Sequence, residues 1–382
     1  MTTTATTALP VKAKINYIDN LRVLLTVLVI MHHTFITYGA PGGWYFTDKS
    51  TNTGALVFMT LFVATNQAFF MGFFFFISAL FTESSYRKKG TAKFITDRLK
   101  RLGIPLLFYS FIFSPFLNYL VYTFGKGHNI SVAQYLRGYD DWIDFGVLWF
   151  VAALLVFTLV YTAIQKITTG KAHRKISLPG NGAILVFALV LGIVSYAVRI
   201  VFPVGWVLHP VGFQLGHFSQ YIALFSLGIV ASRNNWLNKI DYGRGRFWLV
   251  RALLLILVMF PSLYGIKEAT NSSLDAFQGN GSWQSLLSAV WEQVTGIAII
   301  MALLGIAKAK WNGSTPLLKK MARASFATYI IHPLFVISCG LILQHWNIEP
   351  AIKLLVALPF AVTSSFIAGA LIVKLPGVKN IV

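Results

Sequence analysis

Residues 17–36, YIDNLRVLLTVLVIMHHTFI, form a stretch that is long and apolar enough to cross a bilayer as one helix. Arg22 and His33 lie eleven residues apart within it. At about 100° per helical residue, that spacing returns the second side chain to within about 20° of the first, roughly 16 Å further along the axis. Charged and ionisable groups are costly in hydrocarbon, so this shared face should turn toward a cavity. The stretch therefore predicts a membrane helix with a cation and an imidazole on its inner face.

The rest of the chain has the same apolar character. Hydrophobic residues make up 56% of the 382 residues and charged residues only 12%, about half the charged share of a soluble domain. In lipid each apolar stretch must be helical, because open strands leave backbone groups unpaired there. The sequence thus predicts an all-α fold, a polytopic membrane bundle of about ten transmembrane helices. We expect these helices near residues 17–37, 55–81, 102–124, 145–165, 182–202, 218–232, 248–265, 284–306, 324–344 and 351–373.

The net charge of +20 is distributed as a membrane topology signal. If the N-terminus is cytoplasmic, most of the 32 Lys and Arg residues fall in cytoplasmic segments. This asymmetry follows the positive-inside rule and predicts that both termini are cytoplasmic. It also predicts contacts with anionic membrane lipids and argues against nucleic acid as a partner. The opposite side would carry Lys49, Lys126, Arg137, Lys267 and Lys353.

We expect a single domain over residues 1–382, in which residues 1–16 form a polar cytoplasmic tail. The first apolar stretch is too long for the core of a cleavable signal peptide, so it should remain as an anchor. Cys339 is the only cysteine in the chain, which excludes an internal disulfide and a cysteine metal cluster. No metal site is predicted.

Two histidines are adjacent in the first span, and only His33 shares the face of Arg22. Its imidazole can act as a general base near neutral pH, although a histidine hydrogen-bonded within a helix bundle fits the spacing equally well. His32 is rotated by about 100° and is expected to line the cavity less directly. Asp19 either pairs with Arg22 or begins the helix.

A second group of cations lies in the loop expected after the second span, SSYRKKGTAKFITDRLKRLGIPLL. Arg98 and Arg101 share a helix face there because they are three residues apart. Paired guanidinium groups bind phosphates, so an anionic cofactor from the cytosol would have a docking point. The alternative is that these cations serve only to set the topology.

Several motifs occur together in a fixed order. Arg-x10-His in the first span is followed by FFFFISALF (73–81), Arg-x-x-Arg, VLWFVAALL (147–155) and SFATYIIHPLF (325–335). In this order they resemble the acyltransferase-3 family of integral-membrane acyltransferases, and the resemblance covers residues 17–373. The double histidine, Trp149 with Phe150, and His332 with Pro333 look most like the branch that includes glucan-modifying succinyltransferases. FISALF departs from the commoner FISGF pattern of the family.

The resemblance implies an enzyme of the cell (inner or plasma) membrane. It implies transfer of an acetyl or succinyl group from cytosolic acyl-CoA to a hydroxyl of an extracytoplasmic glycan or glycolipid. Acyl-CoA is then a donor substrate, and no tightly bound cofactor is expected. The Arg-x10-His motif of the family matches Arg22 and His33, which the resemblance implies are catalytic. Its Arg-x-x-Arg motif matches Arg98 and Arg101, which the resemblance implies bind the donor. A transporter of an acylated or lipid-linked saccharide is the alternative function.

Other polar residues are weaker candidates for the lining of the same cavity. His332 lies near mid-membrane with Tyr329 one turn away, although a bundle histidine is an equal alternative. Glu292 in the eighth span and Arg199 in the fifth could pair or each line the acceptor side. Trp149 is more often an interior or interfacial aromatic than a substrate platform. Five residues are expected in outer loops, where simple solvation is favoured over the alternative of binding sugar hydroxyls or a metal: Asp140, Asp141, Asp144, His209 and His217.

Overall fold

The computed structural model describes residues 15–168 and 175–381. Within these residues the chain is helical, and its extended pairing is a single isolated bridge between Leu208 and Phe213. Ten helices are long and apolar enough to cross a membrane, which confirms the predicted all-α polytopic bundle. We number them α1 Asn16–Thr37, α2 Thr53–Lys89, α3 Thr91–Gly125, α4 Gly146–Ile167, α5 Asn181–Val201, α6 Leu215–Arg233, α7 Tyr242–Ala269, α8 Trp283–Lys310, α9 Pro316–Leu343 and α10 Pro350–Ile372.

The even number of spans puts both ends of the bundle on the same side. That this side is the cytoplasm remains a prediction from the cation asymmetry. Most of the expected N-terminal tail, residues 1–14, lies outside the described residues, as do residues 169–174 between α4 and α5.

The cationic segment after the second span is helical, which corrects the expectation of a loop. Helix α2 continues to Lys89 and α3 begins at Thr91, so only Gly90 separates them. Gly90 has φ +72°, a conformation that ends a helix at little cost only when the residue lacks a side chain. Arg98 and Arg101 themselves lie on a helix, as their expected shared helix face requires.

Helix α2 is interrupted at mid-length between its two parts, Thr53–Gln67 and Phe70–Lys89. In a membrane the carbonyl groups released by such a break need new partners. Gln220 of α6 donates from Nε2 to the Ala68 carbonyl at 2.8 Å. The break is thus sealed by a side chain from a neighbouring helix.

Three wide helical turns accompany prolines in α3 and α7. The segments Leu99–Gly103, Tyr109–Phe113 and Leu255–Met259 are π-helical, and each is followed two residues later by a proline. Proline has no N–H and its ring clashes with the carbonyl four residues earlier, so a wider turn relieves the conflict. For Pro105 that carbonyl belongs to Arg101.

The centre of the bundle is built around α1, α8 and α9. Helix α1 packs against α9 and α10, and α8 packs against α5 and α7. In α8 and in α9, 72% of the most apolar 18-residue stretch is buried inside the protein, whereas in α7 the corresponding share is 11%. Helices α7 and α8 approach closely at Gly245 and Gly305, where a Cβ on either residue would meet the other backbone within 3.0 Å. The helix that carries Arg22 and His33 is therefore one of the interior helices.

Candidate active site

His33 belongs to a group of stacked rings contributed by three parts of the chain. Its imidazole lies 4.1 Å from the Trp44 ring, with 17° between the planes, and 5.3 Å from the His332 ring, with 21° between the planes (both between ring centroids). Trp44 comes from the connection after α1, and His332 comes from the middle of α9. Sequence reasoning connected His33 with a cavity but did not single out Trp44. The loop sequence around Trp44 carries no spacing signal that relates it to α1.

His32 points to a different environment, as its helical phase predicts. It is buried, stacks on Phe70 at 4.9 Å between centroids, and accepts a hydrogen bond at Nδ1 from Asn66 Nδ2 at 3.3 Å. Asn66 also donates to the Leu28 carbonyl at 3.1 Å. These contacts link α1 to α2 just before the interruption of α2, so His32 has a clear packing role.

Three buried nitrogen atoms of the stacked rings have no hydrogen-bond partner among the described residues. They are Nδ1 of His33, Nε1 of Trp44 and Nε2 of His332. A buried polar atom without a partner is unfavourable, and such atoms are few in folded proteins. Their concentration at one place makes the stacked rings a candidate site for the polar groups of a bound molecule.

His332 is fully buried and is anchored through the backbone of its own helix. Its Nδ1 atom lies 2.7 Å from the carbonyl oxygen of Tyr329. The Tyr329 hydroxyl in turn donates to the Val147 carbonyl at the start of α4. The structure therefore brings His332 and Tyr329 to the same region as His33, where the sequence predicted a shared cavity.

Arg22 lies toward the opposite end of α1. Its Nη1 donates to Asp19 Oδ1 at 3.2 Å, and its guanidinium carbon lies 4.8 Å from the Phe81 ring centroid. Arg101 is near enough for the two guanidinium charges to repel each other. Arg22 and His33 are separated by roughly 16 Å along the helix, so they lie in different parts of the bundle.

The arginine pair of α3 joins Arg22 in one cationic group. Arg98 and Arg101 repel each other, and Arg98 also lies over the Phe94 ring at 5.0 Å. Arg98 is half-buried, whereas Arg101 is exposed on the first π-helical segment. Arg101 thus lies within electrostatic range of both Arg22 and Arg98, and such a group of cations favours the binding of a multiply charged anion.

Glu292 and Arg199 pair with each other, which was one of the two alternatives. Arg199, 1% exposed, donates from Nη2 to both carboxylate oxygens of Glu292 at 2.7 and 2.8 Å. His217 Nδ1 lies 3.1 Å from Glu292 Oε1. His217 was expected in an outer loop, but it begins α6 and is buried, which corrects that expectation. The desolvation cost of each charge explains why they are buried together.

Trp149 lies among aromatic side chains at the start of α4. Its ring stacks on Tyr221 at 5.5 Å between centroids and approaches Phe218 and Phe150 at 6.5 Å. These neighbours favour the interior aromatic interpretation over a substrate platform.

The segment between α3 and α4 lines a cavity of about 410 Å³. Asp141 lies on its wall, where partial desolvation, followed by the neighbouring Asp144 carboxylate, raises the pKa of its carboxyl group. Asp144 itself caps the start of α4, because it accepts hydrogen bonds from the Ser114 hydroxyl and from the Gly146 N–H. The cavity is lined by Asn118, Tyr122, Ile130, Gln134, Tyr135, Gly138, Tyr139, Asp140 and Asp141.

Contacts connect this cavity with the stacked rings. Tyr139 on the cavity wall lies 3.5 Å from the amide of Asn118, which also donates to Ser114. One turn earlier in α3, the Tyr109 hydroxyl is hydrogen-bonded to the Tyr45 hydroxyl at 3.0 Å. Tyr45 packs edge-on against Trp44. A series of side-chain contacts along α3 therefore lies between the cavity and the stacked rings.

Comparison with known proteins identifies the family. A family model described as an acyltransferase domain matches residues 15–373, nearly the whole described chain. Neither the comparison with curated proteins nor the comparison with solved structures finds a match. The match agrees with the ten membrane helices and with the resemblance found in the sequence motifs. The chain therefore belongs to the acyltransferase-3 family and is a multi-pass membrane acyltransferase.

Proposed function

We propose that the protein transfers an acetyl or succinyl group from cytosolic acyl-CoA to a hydroxyl of an extracytoplasmic glycan or glycolipid. The observation that carries this proposal is the stacking of His33 on His332 and Trp44, with three buried nitrogen atoms left for a substrate. We also propose that the protein resides in the cell (inner or plasma) membrane, since the donor is cytosolic and the acceptor is outside.

The cationic group of Arg22, Arg98 and Arg101 supports a phosphate-bearing donor. Guanidinium groups bind phosphates through charge-assisted hydrogen bonds, and acyl-CoA carries its phosphates at the end opposite the thioester. The nucleotide would stay at these arginines because its charge cannot enter hydrocarbon. The pantetheine arm would then extend along α1 over the roughly 16 Å that separate Arg22 from His33. Arg22 accordingly binds the donor and does not contact the thioester.

At the thioester end of the acyl-CoA, the transfer requires a general base and a hydrogen-bond donor that stabilises the developing negative charge. His33 removes the proton from the acceptor hydroxyl as the oxygen attacks the thioester carbonyl. The new C–O bond forms, the C–S bond breaks, and the sulfur leaves as a thiolate that takes the proton from the imidazolium. The Trp44 N–H, which has no described partner, is a candidate donor to the carbonyl oxygen during this step. The products are an ester and free CoA.

The cavity between α3 and α4 supports a saccharide acceptor. Its tyrosine rings present the negative faces that attract the polarised C–H groups of a sugar, and Asp140 and Asp141 can accept hydrogen bonds from hydroxyls. The cation asymmetry predicts that this segment is extracytoplasmic. The acceptor would thus enter from the side opposite the arginines.

A transporter without chemistry was the alternative. Membership in an acyltransferase family disfavours it. Transport alone also requires no set of unpartnered nitrogen atoms around a stacked histidine pair.

The test is donor-dependent release of free thiol by the purified protein in lipid nanodiscs. We expect acetyl-CoA or succinyl-CoA to yield free CoA and an ester on an added glucan oligosaccharide, measured by a thiol reagent and by mass spectrometry. Loss of both signals in His33→Ala, together with their retention in His32→Gln, supports the proposal. Equal thiol release by the two variants would contradict it.

A further inference from the structure

His332 is followed by Pro333 inside α9, and this proline changes the hydrogen bonding of the helix backbone. A residue at position 333 would normally donate its backbone N–H to the carbonyl of Tyr329, four residues earlier. Pro333 has no N–H, so this carbonyl loses its helical partner. In the interior of a membrane protein such a carbonyl needs a substitute donor.

The imidazole of His332 supplies that donor. Its Nδ1 atom lies 2.7 Å from the Tyr329 carbonyl oxygen, and a carbonyl oxygen can only accept a hydrogen bond. The proton of neutral His332 therefore resides on Nδ1. The hydrogen bond made by one ring nitrogen sets the role of the other, so Nε2 carries a lone pair and no hydrogen.

That lone pair is unused within the protein. Nε2 of His332 is buried and has no hydrogen-bond partner among the described residues. The ring lies beside His33, with 5.3 Å between their centroids and nearly parallel planes. Because the two rings are stacked, their nitrogen atoms do not point at each other, and both can serve the same bound molecule. Only a hydrogen-bond donor can satisfy Nε2.

We propose that Nε2 of His332 binds a second hydroxyl of the acceptor, next to the hydroxyl that His33 deprotonates. This inference rests on the proposed function and narrows its substrate class. The acceptor presents two neighbouring hydroxyls, as a sugar ring does and a simple alcohol does not. Pro333 is a positioning residue in this scheme, because it leaves the Tyr329 carbonyl free to hold the imidazole in one tautomer.

The first test measures the tautomer directly in the full-length protein in nanodiscs. Nitrogen-15 NMR of labelled histidine distinguishes the two neutral tautomers, and His332→Phe identifies the signal. We expect His332 to be protonated on Nδ1 in the parent protein. Pro333→Ala restores an N–H for the Tyr329 carbonyl, so the signal should change to a mixture of tautomers. Pro359→Ala, at the proline inside α10, is the matched control and should leave the signal unchanged.

The second test uses two probes of similar ring size, methyl α-D-glucopyranoside and cyclohexanol. The glucoside should shift the His332 Nε2 resonance, whereas cyclohexanol should shift it much less. In acyl-transfer assays with the glucoside, His332→Phe should raise the acceptor KM by roughly ten- to hundredfold, the effect of a lost buried hydrogen bond, with an unchanged donor KM.

An Nε2-protonated tautomer in the parent protein would overturn the proposal. So would the same resonance shift with both probes, or no shift with either. The NMR results do not require turnover, so they distinguish a failure of this inference from a failure of the proposed acyl transfer. If the tautomer and the glucoside-specific shift are both as expected but no ester forms, only the proposed acyl transfer fails.

Discussion

Replacement of His33 by alanine should remove nearly all acyl transfer and leave the fold intact. A positioned general base contributes about 10²–10⁴-fold to the rate, which corresponds to about 2.7–5.5 kcal/mol of activation free energy. The structural cost is smaller. No described residue hydrogen-bonds to His33 Nδ1, so the variant loses chiefly its ring contacts with Trp44 and His332. Contacts of this kind contribute about 0.5–1.5 kcal/mol each to stability.

The adjacent His32 provides the matched control, because the same substitution there should lower stability more than it lowers activity. His32→Ala removes the hydrogen bond from Asn66 and the stacking on Phe70, both within the core. The lost hydrogen bond alone should cost about 0.5–1.5 kcal/mol of unfolding free energy, and the cavity adds to that loss. We therefore expect lower thermal stability in His32→Ala, with most of the activity of each folded molecule retained.

The assay compares the two variants at equal membrane abundance. Ester formation is measured by mass spectrometry, and unfolding is followed by the temperature at which the protein leaves the monodisperse peak in size-exclusion chromatography. The reasoning is refuted if His33→Ala retains activity within tenfold of the parent. An inactive His32→Ala beside an active His33→Ala would refute it as well.

Three further predictions concern the charges. Arg98→Ala or Arg101→Ala should weaken donor binding by about 1.5–3 kcal/mol, roughly ten- to hundredfold in donor KM. Lys100→Ala, an exposed cation between them, should change it little, and equal effects from all three would indicate a topology role only. Glu292→Leu leaves Arg199 buried without its carboxylate and should cost about 3–5 kcal/mol of stability; a double change to leucine at both positions should restore part of this loss in thermal unfolding assays. Reporter fusions at the C-terminus and in the segment between α3 and α4 should report opposite sides of the membrane, and signals from the same side would contradict the predicted topology.

Much of the bundle was predictable because a membrane imposes few structural choices. A long apolar stretch must be helical to satisfy its backbone, so all ten spans follow from hydropathy, including the short α6. The ends of the helices were less predictable. The polar residues from Ser84 to Lys89 continue α2 beyond its apolar part, and Gly90 rather than hydropathy ends it.

Parts of the site were also accessible from local patterns. Helical phase alone separated His33 from His32, since about 100° of rotation places neighbouring side chains in different environments. The same logic gave a pair of Asp19 with Arg22 as one of two alternatives, and the structure joins them by a hydrogen bond at 3.2 Å. The pairing of Glu292 with Arg199 remained one of two alternatives, because they are 93 residues apart and periodicity carries no information over such a distance.

The sequence by itself determined that this protein is a ten-helix membrane acyltransferase with ionisable groups on an interior helix. Hydropathy, charge asymmetry and motif order are local properties, and each can be read without knowledge of the packing. Only the tertiary structure decided what those groups touch. It stacked Trp44, His33 and His332 from three distant segments, and it placed the carbonyl left without a helical partner by Pro333 within hydrogen-bonding distance of a histidine. Such contacts depend on how helices pack, and the free energy of a buried polar group is set by its neighbours rather than by its place in the chain.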